Sequence, residues 1–565
     1  AGLSYQILDW LNVAGRVRID NTHSEYEGKL YASSSNTLTD GSSQGHYTVN
    51  NGQYSQTYAD VLVNINKRIQ DFTIVANIGA SYSGVTSKEL GYAGPIRETG
   101  IPNLFNVYDL DNAKKRATQV GWREATESIF ASAEVGWKSM LYLTVTGRND
   151  WASQLTHSPQ ASFFYPSVGL SAVITEMLKL PDWVDYLKVR GSFSSVGNPY
   201  PRFLTYPTYS YDANKQDWKS QTNYPIGKLY PERTDSWEVG LDATLFKDFK
   251  LSGSFYYANT YNQTFDPRLP VSSGYDKLYV QTGYVRNYGF EAMLSYGHRW
   301  GDFGWDSSFT FSANKNEIVE LVKDYVHPET GKTYNVDKLE LKTDEGRGFG
   351  KAKFILKEGG TLGDLYTHAD LKRDINGNIL IDDSGNVTAI DNAGDIKLGS
   401  VLPKANLAWN NSFSYKGINA GFLLTARLGG IVYSATQAYL DLYGVSETSA
   451  AARDAGGVWV NGRSRVNPQS FYEVASQSGL PTYYTYSATN LRLQEAHIGY
   501  TVPRRWLGNV CDINVSLVGR NLWMIYCKAP FDPEAVATTN NYYQGIDYFM
   551  MPSTRNIGFN IKINF

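Results

Sequence analysis

The sequence predicts an all-β protein, a transmembrane antiparallel up-and-down β-barrel of about 17 strands, and three observations carry that prediction. Segments long enough to cross a bilayer alternate apolar and polar residues. Short turns and long polar connections then alternate along the whole chain. Finally, no run of about 18 apolar residues is present, so a membrane helix is excluded while a barrel is not.

The alternation is clearest in the closing segment 555–565, RNIGFNIKINF. Ile557, Phe559, Ile561, Ile563 and Phe565 alternate there with Asn556, Gly558, Asn560, Lys562 and Asn564. Side chains of a strand point to opposite faces in turn, so this segment has one apolar and one wet face. In the same way Trp237, Val239, Leu241, Ala243 and Leu245 share a face opposite Ser236, Glu238, Gly240, Asp242 and Thr244. Val13, Val17 and Ile19 oppose Arg16, Arg18 and Asp20, and Ile513, Val515 and Leu517 oppose Asn514, Ser516 and Arg520.

In chain order the pattern gives a strand end at 1–6, then strands near 11–22, 52–68, 72–86, 123–137, 139–150, 161–176 and 186–195. Further strands fall near 232–246, 249–264, 284–299, 303–316, 403–415, 418–430, 489–501, 512–524 and 555–565. Short turns lie around 8–10, 70–71, 138–139, 247–248, 300–302 and 416–417. Two longer connections share that side, 176–186 (with room for one helical turn) and 503–510. The long loops are 23–51, 87–122, 151–160, 196–231, 265–283, 317–402, 431–488 and 525–554. Outer-membrane barrels have this rhythm, with short periplasmic turns and long extracellular loops. A soluble sandwich or propeller has no reason to gather every long loop at one end.

Composition narrows the function classes. A net charge of −3 gives no basic field for nucleic acid. The 42 Tyr and 13 Trp against 6 Met favour strands, interfacial girdles and binding surfaces over helix cores. The opening AGLSYQILDWLNV has neither the basic start nor the cleavage-type end of a signal peptide and reads as internal to a longer protein. Cys511 and Cys527 flank one predicted strand, too far apart when extended for a disulfide, and no two of the seven histidines have zinc-ligand spacing.

An ordered set of motifs resembles the SusC/RagA family of TonB-dependent outer-membrane transporters of Bacteroidetes. The set comprises YPSVGLSAVITE at 165–176, RGSFSSVGN at 190–198, PERTDSWEVGLDATLF at 231–246 and NYGFEAML at 287–294. LRLQEAHIGYTVP at 491–503, GRNL at 519–522 and FDPE at 531–534 complete it. The resemblance implies a barrel of roughly 22 strands around an internal plug. Residues 1–565 then form the C-terminal part of that barrel, with no separate soluble domain, and the plug and TonB-binding segment of the family are not found in them. Seventeen strands alone leave two bare edges and an odd count that cannot close.

Candidate chemistry is sparse. Gly41, Ser43 and Gly45 fit G-x-S-x-G, but in a polar loop rather than at a strand-to-helix elbow. Asp374, Asn376 and Asn378 have calcium-loop spacing, yet Ile379 and Gly385 stand where an EF-hand needs Gly and Glu, which leaves a turn-rich hairpin as the simpler expectation. Glu238, Asp242 and Glu291 lie on wet faces with nothing to fix two of them at catalytic separation. The expectation is therefore no enzyme, no metal and no cofactor.

Tyrosines in the long loops are the candidate ligand contacts: Tyr206, Tyr209 and Tyr211 in one, Tyr483, Tyr484 and Tyr486 in another, and Tyr542, Tyr543 and Tyr548 in the last. Flat rings with a polar tip suit sugar faces, peptide side chains or a protein partner. Packing between loops and an outer aromatic girdle are the alternatives. Tyr483, Tyr484, Tyr542 and Tyr543 are expected to reach the substrate.

The resemblance implies an active importer of a bulky nutrient, oligosaccharide or peptide, in the Gram-negative outer membrane. Its implied partners are a SusD-like surface lipoprotein acting as a lid, the TonB complex acting through the plug, and outer-membrane lipid. It allows a dimer of transporter–lid pairs and implies no nucleic acid. The alternative from another class is a soluble all-β glycan-binding or adhesin module.

Overall fold

The computed structural model describes residues 1–564 except 206–207, 213–216, 221–222, 225–228, 266–273, 276, 327–330, 332, 342–350, 478, 509 and 538–543. Seventeen long strands form one sheet. They are β1 (Gly2–Leu8), β2 (Leu11–Leu30), β3 (His46–Ile69), β4 (Phe72–Pro95), β5 (Arg116–Trp137), β6 (Leu141–Ala152), β7 (Phe163–Val173) and β8 (Val184–Asn198). After them come β9 (Glu232–Leu245), β10 (Phe249–Phe265), β11 (Val280–Trp300), β12 (Phe303–Glu320), β13 (Ala405–Tyr415), β14 (Ile418–Leu428), β15 (Asn490–Val502), β16 (Asp512–Cys527) and β17 (Asn556–Asn564). The count and order are those expected from the alternation. Among the described residues no helix is long and apolar enough to cross a membrane.

The chain divides into two compact units built from interleaved segments. One holds Ala1–Leu170, Phe193–Thr234 and Arg268–Gln281, the other Ser171–Ser192, Asp235–Pro267 and Thr282–Phe565.

In the first unit β2 to β5 run 20, 24, 24 and 22 residues, about twice what a tilted strand needs to span a bilayer. The sequence pattern ends these strands early, near Thr22 and Thr86, and assigns 23–51 and 87–122 to loops. The ladder in fact continues to Leu30–His46 and Ala93–Arg116. Alternation reports which side meets lipid, and beyond the hydrocarbon both sides of a hairpin meet water, so the alternation fades while backbone pairing persists.

Register puts the apolar residues of neighbouring strands on a common face. In the second unit Phe309 lies opposite Leu294 and Trp409, Trp409 opposite Leu424, and Leu517 opposite Ile498 and Phe559. That face is exposed: Trp237 and Val239 are each 59% accessible and Phe559 is 78%. A water-soluble sheet would cover such residues, whereas in a barrel they meet acyl chains. Aromatic rings gather at the short-turn end of this face, where Trp183 stacks on Phe246, Phe249 packs on Tyr296, and Trp300 stacks on Phe303. One interfacial girdle, on the short-turn side, is thus supplied by strand ends.

The short turns are tight hairpins whose central residues take positive φ. Lys138 and Ser139 have φ of 51° and 57°, and Lys416 and Gly417 have 47° and 90°. Two positive φ values match the right-handed twist of the flanking strands, so even non-glycine residues are held there. The connection read as 176–186 does carry a helical turn at its start, but the turn is Ile174–Met177 and begins inside the segment read as strand.

Among the described residues of the second unit, the buried apolar clusters lie in the long connections rather than in the long strands. Phe354, Leu365, Tyr433, Ala435, Tyr484 and Ile546 form one cluster. Leu371, Val460, Val466, Phe471, Ala475 and Leu480 form another. Three helices, unexpected from the sequence pattern, carry part of them: Ala435–Leu442, Glu447–Asp454 and Pro468–Gln477. Ser434 and Ser446 cap the first two, accepting the backbone N–H groups of Gln437 and Ser449 at 2.9 Å each. These segments are short and their apolar residues do not follow a sustained helical period, so composition alone reads them as loop.

This arrangement fixes where an impermeant thiol reagent can act on whole cells. Ser384 and Thr448 are exposed on the long-loop side, and cysteine at either should be labelled without cell lysis. Protection of both would reverse the orientation. Asn461 is a poor probe site, because its side chain bonds the backbone N–H and carbonyl of Ile379 and its φ is 55°.

Candidate functional site

Within the second unit the wet faces of β10 to β14 line a cavity of about 810 Å³. Its wall includes Ser252, Glu291, Thr310, Asn406, Thr425 and Arg427. Each sits on the face opposite the lipid-facing residues, because the alternation that sends Phe309, Trp409 and Leu424 outward sends Thr310, Asn406 and Thr425 inward. The guanidinium of Arg427 donates from Nη2 to the carbonyl of Val401 at 2.7 Å, while its buried Nε has no hydrogen-bond partner among the described residues. The wall thus offers hydroxyls, amides, two carboxylates (Glu291 and Glu534) and two guanidiniums (Arg190 and Arg427), a mixture suited to hydrogen-bonding a polar ligand in water.

The neighbouring carboxylates are tied to each other through one arginine. Arg190 donates from Nη1 to Asp242 at 2.7 Å, and its Nη2 lies 3.5 Å from Glu238, while Asp242 also accepts from the Ser252 hydroxyl at 2.7 Å. One guanidinium bridging the two carboxylates ties them to each other instead of leaving them free to flank a glycosidic bond.

Above the wall, the end of β15 anchors the last long connection. Arg492 forks onto Asp532 at 2.8 and 3.1 Å and lies 3.3 Å from Glu534, which also lines the cavity. The side chains of Arg492 and Asp532 are 5% and 9% exposed. Burial raises the Asp532 carboxyl, but the Arg492 guanidinium and the N–H of Glu534 outweigh it and hold that carboxyl below its ordinary value. This pair joins two of the motifs singled out in the sequence, LRLQEAH and FDPE. Spacing offers no reason to connect residues 40 positions apart.

The tyrosine candidates separate in the structure. Tyr484 is buried at 2% exposure, its hydroxyl 2.5 Å from that of Ser476, and burial pushes its phenol far up. It packs the loop core. Tyr483 is half-buried, with its ring edge-on to Phe471 at 5.8 Å, and packs against both loop clusters. Tyr486 packs edge-on against Phe531 and Tyr548 against Phe549. Tyr209 and Tyr211 are exposed. Tyr206, Tyr542 and Tyr543 lie outside the described residues.

The remaining motifs resolve into turn chemistry. Ser43 donates its hydroxyl to Glu98 at 2.7 Å in a surface loop, not at the strand-to-helix elbow the motif requires. Asp374 accepts the N–H groups of Asn376 and Asn378, and Asp382 those of Ser384 and Asn386, all at 2.8–2.9 Å. Gly377 and Gly385 take φ of 83° and 80° to complete two successive Asx-type turns. Among the described residues no group of three or more His, Cys, Asp or Glu side chains could hold a metal. Cys511 and Cys527 are free thiols.

Comparison with known proteins gives a consistent picture. The family model described as "TonB dependent receptor-like, beta-barrel" matches residues 1–522. "TonB-dependent receptor P3" of Formosa agariphila is 24% identical over 524 residues, covering 86% of this chain and 50% of that protein. "TonB-dependent receptor SusC" of Bacteroides thetaiotaomicron is 24% identical over 433 residues, covering 70% of this chain and 40% of that protein. Among solved structures, "Structure of the RagAB peptide transporter" superposes with a TM-score of 0.75 at 17% identity, over 100% of this chain and 61% of the other. The chain spans about half the length of the curated relatives it matches first.

Proposed function

Because the chain belongs to the TonB-dependent receptor β-barrel family, whose barrels lie in the Gram-negative outer membrane and whose members are transporters rather than enzymes, we propose that it forms the barrel of an importer for a bulky nutrient. The observation that carries this reading is a sheet with an outward apolar face and, on the other face, a polar cavity of about 810 Å³ beneath a packed loop layer. Such a wall holds a hydrated ligand by several weak polar contacts and lets it move on.

The cargo is an oligosaccharide or a peptide, and the energy comes from TonB acting on a plug. A SusD-like lipoprotein closes the long-loop side as a lid. The motifs shared with the SusC/RagA family support either cargo, and the likeness to the RagAB peptide transporter supports the second. Tyr483, Tyr542 and Tyr543 contact the cargo, while Tyr484 holds the segment that carries Tyr483.

Replacing Tyr483, Tyr542 and Tyr543 with Ala should lower uptake while leaving barrel assembly and lid co-purification intact. Tyr484→Ala opens a buried space and should lower loop stability by about 3–5 kcal/mol, read as protease sensitivity of 431–488. Loss of the lid with normal substrate binding would assign the three tyrosines to the protein interface, and no change in either would make them loop packing.

A further inference from the structure

The outward face of β2 to β6, in the first unit, carries three stacked depressions. Cross-strand register orders them. One row reads Val17, Ala59, Tyr82, Glu127 and Trp151 from β2 to β6. A row spans two residues of each strand, about 7 Å. Below this one lie Gly15, Val61, Ala80 and Ile129, apolar or without a side chain, with Asn149 at the β6 end. The first row above, Ile19, Thr57, Gly84 and Ala125, is still mostly apolar, and the next two are polar: Asn21, Ser55, Thr86 and Arg123, then His23, Gln53, Lys88 and Gly121. A carboxylate on the lipid-facing side is not tolerated in hydrocarbon, so Glu127, flanked by Tyr82 and Trp151, marks the membrane boundary.

The depressions follow that order. From the boundary row downward, small residues Gly15, Ala59 and Ala80 sink a mostly apolar groove of about 530 Å³ walled by Val61, Ile129 and Trp151, with Glu127 also in its lining. Immediately above it is a notch of about 470 Å³ lined by Ser55, Thr57, Tyr82, Thr86 and Arg123, and by Glu124, whose carboxylate pairs with Arg202. The Tyr82 side chain lines both and lies over Gly84, where an added Cβ would sit 2.7 Å from the Tyr82 hydroxyl. Higher still, a third depression of about 680 Å³ is lined by His23, Gln53, Lys88 and Gln119. Arg123 and Lys88 are exposed, and neither has an ion-pair partner among the described residues.

We propose that this face holds one anionic lipid of the outer leaflet, with an acyl chain in the apolar groove and a headgroup phosphate in the notch against Arg123 and Lys88. The charge complementarity is direct: two cations on adjacent strands stand diagonal to each other over a set of hydroxyl donors, which suits phosphate oxygens. The apolar groove that shares Tyr82 favours a lipid over a free anion, since a free anion has no use for it. The order apolar, hydroxyl, cation along the strands is that of an amphiphile standing in the membrane. Glu127 lies in the boundary row, below the phosphate, and Glu124 in the notch is already paired with Arg202, so neither carboxylate competes for the two cations.

The test uses protein purified from outer membranes, delipidated in detergent, and offered diphosphoryl lipid A. Retained lipid is counted by native mass spectrometry after gel filtration. Wild-type protein should keep one lipid A. K88Q/R123Q should weaken retention roughly thirtyfold, since each cation near a membrane surface contributes a factor of about five. A59F, which fills the groove and leaves both cations, should weaken it as well, and excess inorganic phosphate should displace nothing. Unchanged retention in K88Q/R123Q, displacement by inorganic phosphate, or no retention by the wild type would each overturn the proposal. Heat-modifiable migration reports assembly of every variant, and if the double variant does not assemble, R123Q alone decides.

Discussion

Ile561→Lys should remove most folded protein from the outer membrane, and Asn560→Lys should leave it nearly unchanged. Accessibility does not separate the two positions, because every described residue of β17 is exposed. Register does. Ile561 lies opposite Val515 on the face shared by Phe559, Ile563 and Leu517, while Asn560 lies opposite Ser516 on the wet face. A lysine facing lipid costs roughly 2–4 kcal/mol at the bilayer midplane and less toward an interface. One facing the aqueous interior costs little. The measurement is the heat-modifiable band in outer-membrane fractions, and equal bands for the two variants would mean that the faces are reversed or that the sheet does not meet lipid.

Arg492→Ala should release the last long connection from the end of β15. The variant leaves Asp532 buried without its fork of hydrogen bonds, and breaking a buried pair by removing one partner costs about 3–5 kcal/mol. The expected result is proteolytic nicking within 525–554 while the barrel stays heat-modifiable. Arg492→Lys should give an intermediate effect, since an ammonium keeps the charge but not the planar two-bond fit. The pair also has a pH signature. The Asp532 carboxyl is held below its unfolded value, so its contribution is complete above the ordinary carboxylate range and is lost as pH falls through the depressed folded value. Docking of this segment should therefore persist at neutral pH and weaken in acid, and the acid step should be absent in Arg492→Ala. A segment that stays protease-resistant in that variant would show that the apolar contacts of Ile546 in the loop core suffice.

Both predictions depend on facts of different origin, and the contrast runs through the molecule. The faces of β17 and β9 are legible in the chain because a strand meeting lipid on one side and water on the other must alternate, and the alternation survives in the residue order. The same logic places the tight turn at Lys416–Gly417, where a short connection between such strands leaves two residues to reverse the chain. It fails for the upper halves of β2 to β5, since beyond the hydrocarbon both faces are wet and pairing leaves no mark in hydropathy.

The ligand-facing residues were less legible. Tyrosine richness in the long loops is visible in composition, yet composition does not distinguish Tyr484, sealed at 2% exposure, from its half-buried neighbour Tyr483. Which of two adjacent rings is covered depends on segments far away in the chain, here the stretches that carry Phe354, Leu365 and Ile546. Arg427 and Glu534 meet at one cavity from residues 107 positions apart only because β14, β15 and the last connection converge.

By itself, then, the residue order determined the number of long strands, their lipid-facing spans and their two faces, because those follow from the local contrast between lipid and water repeated along each strand. Tertiary structure alone decided the rest: that the long connections fold around their own apolar core, that Arg492 reaches Asp532, that Arg190 binds both Glu238 and Asp242, and that small residues on neighbouring strands line up into a groove. Each of these is a meeting of residues distant in sequence, and the free energy that selects it comes from burial and pairing between segments, which no local pattern encodes.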